Sequence, residues 1–107
     1  MDLAQLAAAL EIAGSLDPGG LYVHHLQVLI TIGEAGPAGC SYRTIEDRHG
    51  LSNAAASRTV NALSDNPRHR KNSYGLVEIR RDPFEGRRYV VVLTKKGEAL
   101  MRSIERL

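Results

Sequence analysis

Residues 41–63 read SYRTIEDRHGLSNAAASRTVNAL, a pattern that predicts two short helices joined by a tight turn. Ser41 is an N-cap for the first helix, its side-chain oxygen available to the free amides of the opening turn. Gly50 stops that helix, because glycine adopts the left-handed C′ conformation without a Cβ penalty. Ser52 then caps the second helix, which is expected to run to about Asp65. Ala56, Val60 and Leu63 recur at helical spacing, with Leu51 tucked in from the turn. The opposite face carries Asn53, Ala54, Ser57, Arg58 and Asn61, all small or hydrogen-bonding and none acidic. A helix enters a DNA major groove only when its leading face is slim enough to bring its backbone near the bases. The pair therefore suits a helix-turn-helix with the second helix as the reader. An ordinary helical hairpin with a solvated outer face has the same pattern.

The distribution of charge favours the first of these. The first forty residues hold no Lys or Arg and four acids, whereas the remainder holds all 14 basic residues and eight acids. The modest net charge of +2 thus separates into −4 and +6, an asymmetry that points to an anionic partner for the second part of the chain. At 107 residues the chain is expected to be one domain. With no Trp and a single Phe, its core must be built from Leu, Ile, Val and Ala. One cysteine excludes an internal disulfide, and no zinc-ligand spacing occurs. No stretch approaches the roughly 20 apolar residues of a membrane span, and no Lys or Arg precedes the Ala-rich N-terminal segment as a signal peptide would require. A cytoplasmic protein without a membrane partner or cofactor is expected. An enzyme is not, since no nucleophile stands beside a recognisable base and no acid pair appears.

Residues 3–16 predict an amphipathic helix, with Leu3, Leu6, Ala7, Leu10 and Ala13 or Gly14 on one face and Ile12 and Leu16 widening the apolar sector. That sector exceeds what one small core requires, so the helix is either buried on two sides or meets another chain. Asp17-Pro18-Gly19-Gly20 is a turn. A second helix is expected from about Leu21 to Ala35, apolar nearly all round and hence central, with Tyr22, Leu26, Leu29 and Ile30 facing inward. The adjacent His24 and His25 point about 100° apart on such a helix and do not readily chelate one metal. Cys40 reads as a small apolar residue at the edge of the sheet. A redox-active thiol there is the lesser alternative, with Arg43 as the cation that would lower its pKa.

After the helix-turn-helix, Arg68, His69, Arg70 and Lys71 crowd into four residues between turn formers. The segment is either a solvated loop or a phosphate clamp, and Arg68, Arg70 and Lys71 are assigned to phosphate, with Tyr42 and Arg43 beside the first helix. Two alternating stretches, Val77 and Ile79, then Tyr89, Val91 and Leu93, flank a Pro83–Gly86 connection and predict a β-hairpin. Arg80, Arg81, Arg87 and Arg88 lie near its tip, where they repel one another unless an anion lies between them. Thr94 caps a last helix over 95–107, with Leu100, Met101, Ile104 and Leu107 on one side.

In order, these elements describe a mainly α protein with a small β-hairpin wing, a winged helix-turn-helix. Three segments resemble the MarR family of bacterial transcription regulators: GLSNAAASRTVNAL, GLVEIRRDP and EGRRYVVVLTKKG. The resemblance covers roughly residues 21–97. Together with the chain length and the apolar first helix, it predicts one winged-helix domain over 1–107: a dimerisation helix and turn in 1–20, a DNA-binding core in 21–94 and a C-terminal helix in 95–107. It also implies a homodimer that binds palindromic double-stranded DNA as a transcriptional regulator. Ser52, Asn53, Ala54, Ser57, Arg58 and Asn61 would face the major groove. The wing arginine of the minor groove would be Arg87, held by Glu85 where the family usually has Asp.

Other positions depart from the family. The 66–74 segment is longer than usual, and His49 stands where an aliphatic residue packs, so the third helix either ends early or buries an imidazole edge. Phe84 occupies the wing tip, either folded back on the hairpin or wedged against sugar or a partner protein. One short helix follows the wing where the family usually adds more for dimerisation. Leu3, Leu6, Leu10, Leu100, Ile104 and Leu107 are therefore the expected dimer contacts, with much of the burden on the first helix, and no small-molecule effector is predicted. The competing function is a winged-helix protein-interaction module without sequence-specific DNA binding, anchored by Phe84 and the first helix.

Overall fold

The computed structural model describes residues 2–15, 22–64, 74–82 and 84–107. Its elements are α1 (Leu3–Gly14), α2 (Val23–Ala35), a 3-10 turn at Gly36–Ala38, β1 (Cys40–Ser41), α3 (Tyr42–His49), α4 (Asn53–Leu63), β2 (Val77–Arg81), β3 (Tyr89–Leu93) and α5 (Lys95–Glu105). The Asp17–Gly20 turn, the cationic run 68–71 and Pro83 lie outside the described residues.

The capping chemistry of the helix-turn-helix is as expected. Ser41 Oγ accepts the Thr44 amide at 3.1 Å, Gly50 adopts φ 62°, and Ser52 Oγ accepts the Ala55 amide at 3.1 Å. Ala56, Val60 and Leu63 are fully buried against Leu29, Ile45 and Leu76 in one core. Helix α4 ends at Leu63, short of Asp65, because Ser64 turns extended and bridges to Val77. The Leu76 amide donates to the Leu63 carbonyl at 2.8 Å. The end of α4 is thereby laced to the first wing strand, which sets the angle between them.

Three strands form the sheet, in the antiparallel order β1-β3-β2, with Cys40 and Ile79 both opposite Val91. Cys40 is thus at the sheet edge, in a short strand. The period-2 reading of β3 needs correction, because Val90, Val91 and Val92 are all buried. Val91 packs into the core on one face of β3, and the chain at Gly39 lies against Val90 and Val92 on the other. Gly39 lies so close that a Cβ there would stand 2.7 Å from Val90 Cβ, and it takes φ +91°, a conformation that favours glycine.

The inward face of α2 is also corrected. His25, Leu26, Val28, Leu29, Thr31 and Ile32 are buried, while Tyr22 and Ile30 are exposed. An apolar surface that nearly encircles a helix does not say which side turns inward; here the polar His25 and Thr31 are inside. The His25 ring stands 6.0 Å from the Tyr74 ring and 4.2 Å from that of His24, in an aromatic cluster. Among the described residues no group of His, Cys, Asp or Glu could hold a metal. Thr31 Oγ1 lies 2.8 Å from His49 Nε2, so α3 runs its full length and half-buries the imidazole through a hydrogen bond.

Helix α5 starts from Thr94, whose Oγ1 accepts the Gly97 amide at 3.2 Å and donates to the Gly75 carbonyl at 2.7 Å. Lys96 Nζ donates to the Tyr74 carbonyl. Leu100 is 5% exposed and belongs to the chain's own core, with Ile104 packed against it. Leu100 is therefore corrected as a dimer contact, because a side chain already buried in its own core has no surface left for a second chain. At the other end, Asp2 and Gln5 form a capping box on α1, and Gln5 Nε2 donates to the Leu107 carbonyl at 2.8 Å. Leu3, Leu6 and Leu10 remain exposed. No helix among the described residues is long and apolar enough to cross a membrane.

Candidate nucleic-acid interface

The outer face of α4 is slim. Ser52, Asn53, Ala54 and Arg58 are exposed, and Ser57 and Asn61 are half-buried. Ser52 Oγ accepts the cap bond and keeps its proton to donate and one lone pair to accept. Asn53 Nδ2 donates to Glu46 Oε2 of α3 at 3.4 Å, which braces the amide. Arg58 has no ion-pair partner among the described residues, so its guanidinium is available to a ligand.

A cleft of about 600 Å³ separates α4 from the wing, lined by Ser41, Tyr42, Arg43, Asn53, Ser57, Ile79, Arg88 and Tyr89. Burial raises the pKa of Tyr42 above the usual tyrosine value, so its hydroxyl stays protonated and can donate to an anion. Arg43 pairs with Asp47 at 3.3 Å, but both are largely exposed. Such a pair is weak in water and can open to another anion.

The four wing arginines divide. Arg80 pairs with Glu78 at 3.1 Å, and Arg81 donates to the Gly86 carbonyl at 3.1 Å with its guanidinium over the Tyr89 ring. Glu85 pairs with Arg88 at 3.5 Å, three residues on. The expected Glu85–Arg87 pairing is thus corrected: the reversal of the chain at Gly86-Arg87 brings Arg88 back over Glu85. Arg87 is exposed and has no ion-pair partner among the described residues. The mutual repulsion expected of the tip is also relieved, since two of its cations have their own carboxylates.

Cys40 is buried, and burial pushes its thiol pKa up. The cation that opposes the shift is Arg48, not Arg43. A thiol held protonated is a poor nucleophile, which counts against the redox alternative. Arg68, Arg70 and Lys71 lie outside the described residues.

No protein-family model matches the sequence, and no curated protein matches it. Solved structures do. A mutant MarR from E. coli complexed with operator DNA aligns over 97% of this chain and 68% of its own, at 21% identity and a TM-score of 0.66. A mutant MepR from S. aureus bound to an oligodeoxyribonucleotide aligns over 96% and 67%, at 17% identity and 0.70. FabT from Streptococcus pneumoniae in complex with DNA aligns over 96% and 64%, at 16% identity and 0.71. The fold is that of the MarR regulators. This chain spans about two thirds of the length of each. The MarR fold extends over nearly the whole chain, so the likeness includes α1 and α5 and is not confined to the helix-turn-helix.

Proposed function

We propose that this chain is a cytoplasmic, sequence-specific regulator of transcription that binds double-stranded DNA as a homodimer. Helix α4 lies in the major groove, and the wing reaches the neighbouring minor groove. The observation that carries this reading is the pairing pattern of the cations. Arg58 on α4 and Arg87 on the wing are both without ion pairs among the described residues, while Arg80 and Arg88 have their own carboxylates. Two open guanidiniums, one on the helix and one on the wing, suit two adjacent grooves of one duplex. The DNA present in structures of the same fold supports it.

Asn53, Ser57 and Asn61 read base edges or fix the backbone beside Arg58, and Ser52 and Ala54 let the helix approach. Arg80, Arg81 and Arg88 add positive field around Arg87. Tyr42 and Arg43 contact phosphate across the cleft, and Arg68, Arg70 and Lys71 are assigned to phosphate on their charge and sequence position. Leu3, Leu6 and Leu10, with Leu107 and the exposed part of Ile104, form the apolar contact between protomers. The reading invokes no cofactor and no small-molecule effector.

Arg58→Ala tests it. Loss of a bidentate guanine contact is expected to cost about 1–3 kcal/mol per half-site on the best duplex and much less on random DNA. Titrations of both variants against both duplexes at one salt concentration measure the difference. An equal loss on the two duplexes would move Arg58 from base reading to backbone positioning.

A further inference from the structure

The tip of the wing presents a ring that the groove contacts above do not use. Phe84 is 94% exposed, more than any other large hydrophobic residue among those described. It is held out by a built turn. Its amide donates to Asp82 Oδ1 at 2.9 Å, the Asp82 amide donates to the Arg88 carbonyl at 2.8 Å, and the Arg88 amide donates to the Glu85 carbonyl at 2.9 Å. Arg81 closes the turn through the Gly86 carbonyl. Both acids of the tip are engaged, Asp82 with the Phe84 amide and Glu85 with Arg88, whereas Arg87, three residues on from Phe84 in the same turn, has no ion-pair partner among the described residues.

The occupant of this tip must accept an apolar ring and a cation presented by the same turn. A protein socket for phenylalanine would have to desolvate the flanking guanidiniums or supply acids for them. A minor groove offers both features at once, base steps that an apolar wedge can prise apart from its floor and phosphates along its walls. We propose that Phe84 acts as a wedge, entering a base step of the minor groove beneath the wing and partly unstacking it while Arg87 lies along the groove. The proposal rests on the DNA-binding reading and adds a specificity determinant to it. Apolar side chains used in this way bend a duplex by roughly 20–90°. Pyrimidine–purine steps such as TA and CA open most easily, so such a step is expected under each wing.

The test uses the full chain and its best duplex from a random pool, with 2-aminopurine placed at the step beneath the wing. Bound unmodified protein should brighten the probe as the step unstacks. Phe84→Leu should keep most of that signal, whereas Phe84→Ala should abolish it and bind about tenfold more weakly per wing, roughly a hundredfold for the dimer, as expected for loss of one stacked contact under each wing. Because the ring is in solvent, neither change should disturb folding, which circular dichroism checks. A probe that stays dark under bound unmodified protein overturns the wedge, whatever the affinities, and leaves the DNA reading intact. Brightening that persists in Phe84→Ala overturns it equally. Failure of the unmodified chain to bind any duplex is a different result, which removes the DNA reading and the wedge with it.

Discussion

Leu6→Asp combined with Leu10→Asp is expected to give a folded monomer whose affinity for its best duplex falls at least about a hundredfold, because the avidity of two linked half-site contacts is lost. The two leucines are each 45% exposed, one turn apart on α1 and on the same side as Leu3, which is 84% exposed. The inner side of α1 is formed by Ala9 and Ala13, which are buried and are not touched by the double change. Folding should therefore survive, whereas two carboxylates facing their symmetry mates cannot be desolvated without partners. The contact between protomers falls chiefly to α1, because Leu100 and Ile104 of α5 pack on the chain's own core. Sedimentation at micromolar concentration, circular dichroism and a binding titration together check the prediction. A folded variant that binds as tightly as the unmodified chain would remove α1 from the dimer contact.

The second large effect is on stability. Gly97→Ala is expected to destabilise the protein by about 3 kcal/mol, the upper end of overpacking costs, because its new methyl would overlap backbone that cannot move aside. In an open helix the same change stabilises by about 1 kcal/mol, since alanine is the better helix former. At Gly97 a Cβ would collide with the carbonyl oxygen of Leu76, which also accepts the Thr94 amide at 3.0 Å and so is pinned in place. Leu76 in turn is bonded through its amide to the end of α4. Strain at Gly97 would thus reach the junction of recognition helix, wing and last helix. Gly14 in α1, where an added methyl would meet nothing within 4 Å, is the control. Gly14→Ala should be neutral or slightly stabilising. Urea denaturation of both variants gives the comparison, and equal midpoints would show that the Gly97 contact relaxes at little cost.

Those two sites differ in how far sequence alone reaches them. Caps are local signals: Ser41, Gly50, Ser52 and Thr94 each act on residues within a turn of themselves, and all four do what their neighbours in sequence require. The polar face of α4 follows from helical spacing in the same way. What local pattern does not carry is the identity of a partner brought from elsewhere. The burial of Val90 and Val92 depends on β1 and Gly39 covering β3, and the role of Gly97 depends on a carbonyl 21 positions earlier. On α2 the apolar residues circle the helix too evenly to say that His25 and Thr31 turn inward. At the wing, which arginine Glu85 holds is decided by the turn at Gly86-Arg87, and two candidate partners one residue apart cannot be separated by spacing. The sheet-edge position of Cys40 follows from its neighbours in sequence, but the cation beside it, Arg48, sits a helix length away.

If α4 and the wing together read DNA sequence, a dimer reads it twice, once per protomer. Selection of bound duplexes from a random pool, sequenced after several rounds at physiological salt, tests this most directly. An inverted repeat should emerge, its half-sites about one helical turn or roughly 34 Å apart, with A·T-rich or flexible steps under the wings. A pool that shows no enrichment, or that converges on a single asymmetric site, would contradict it.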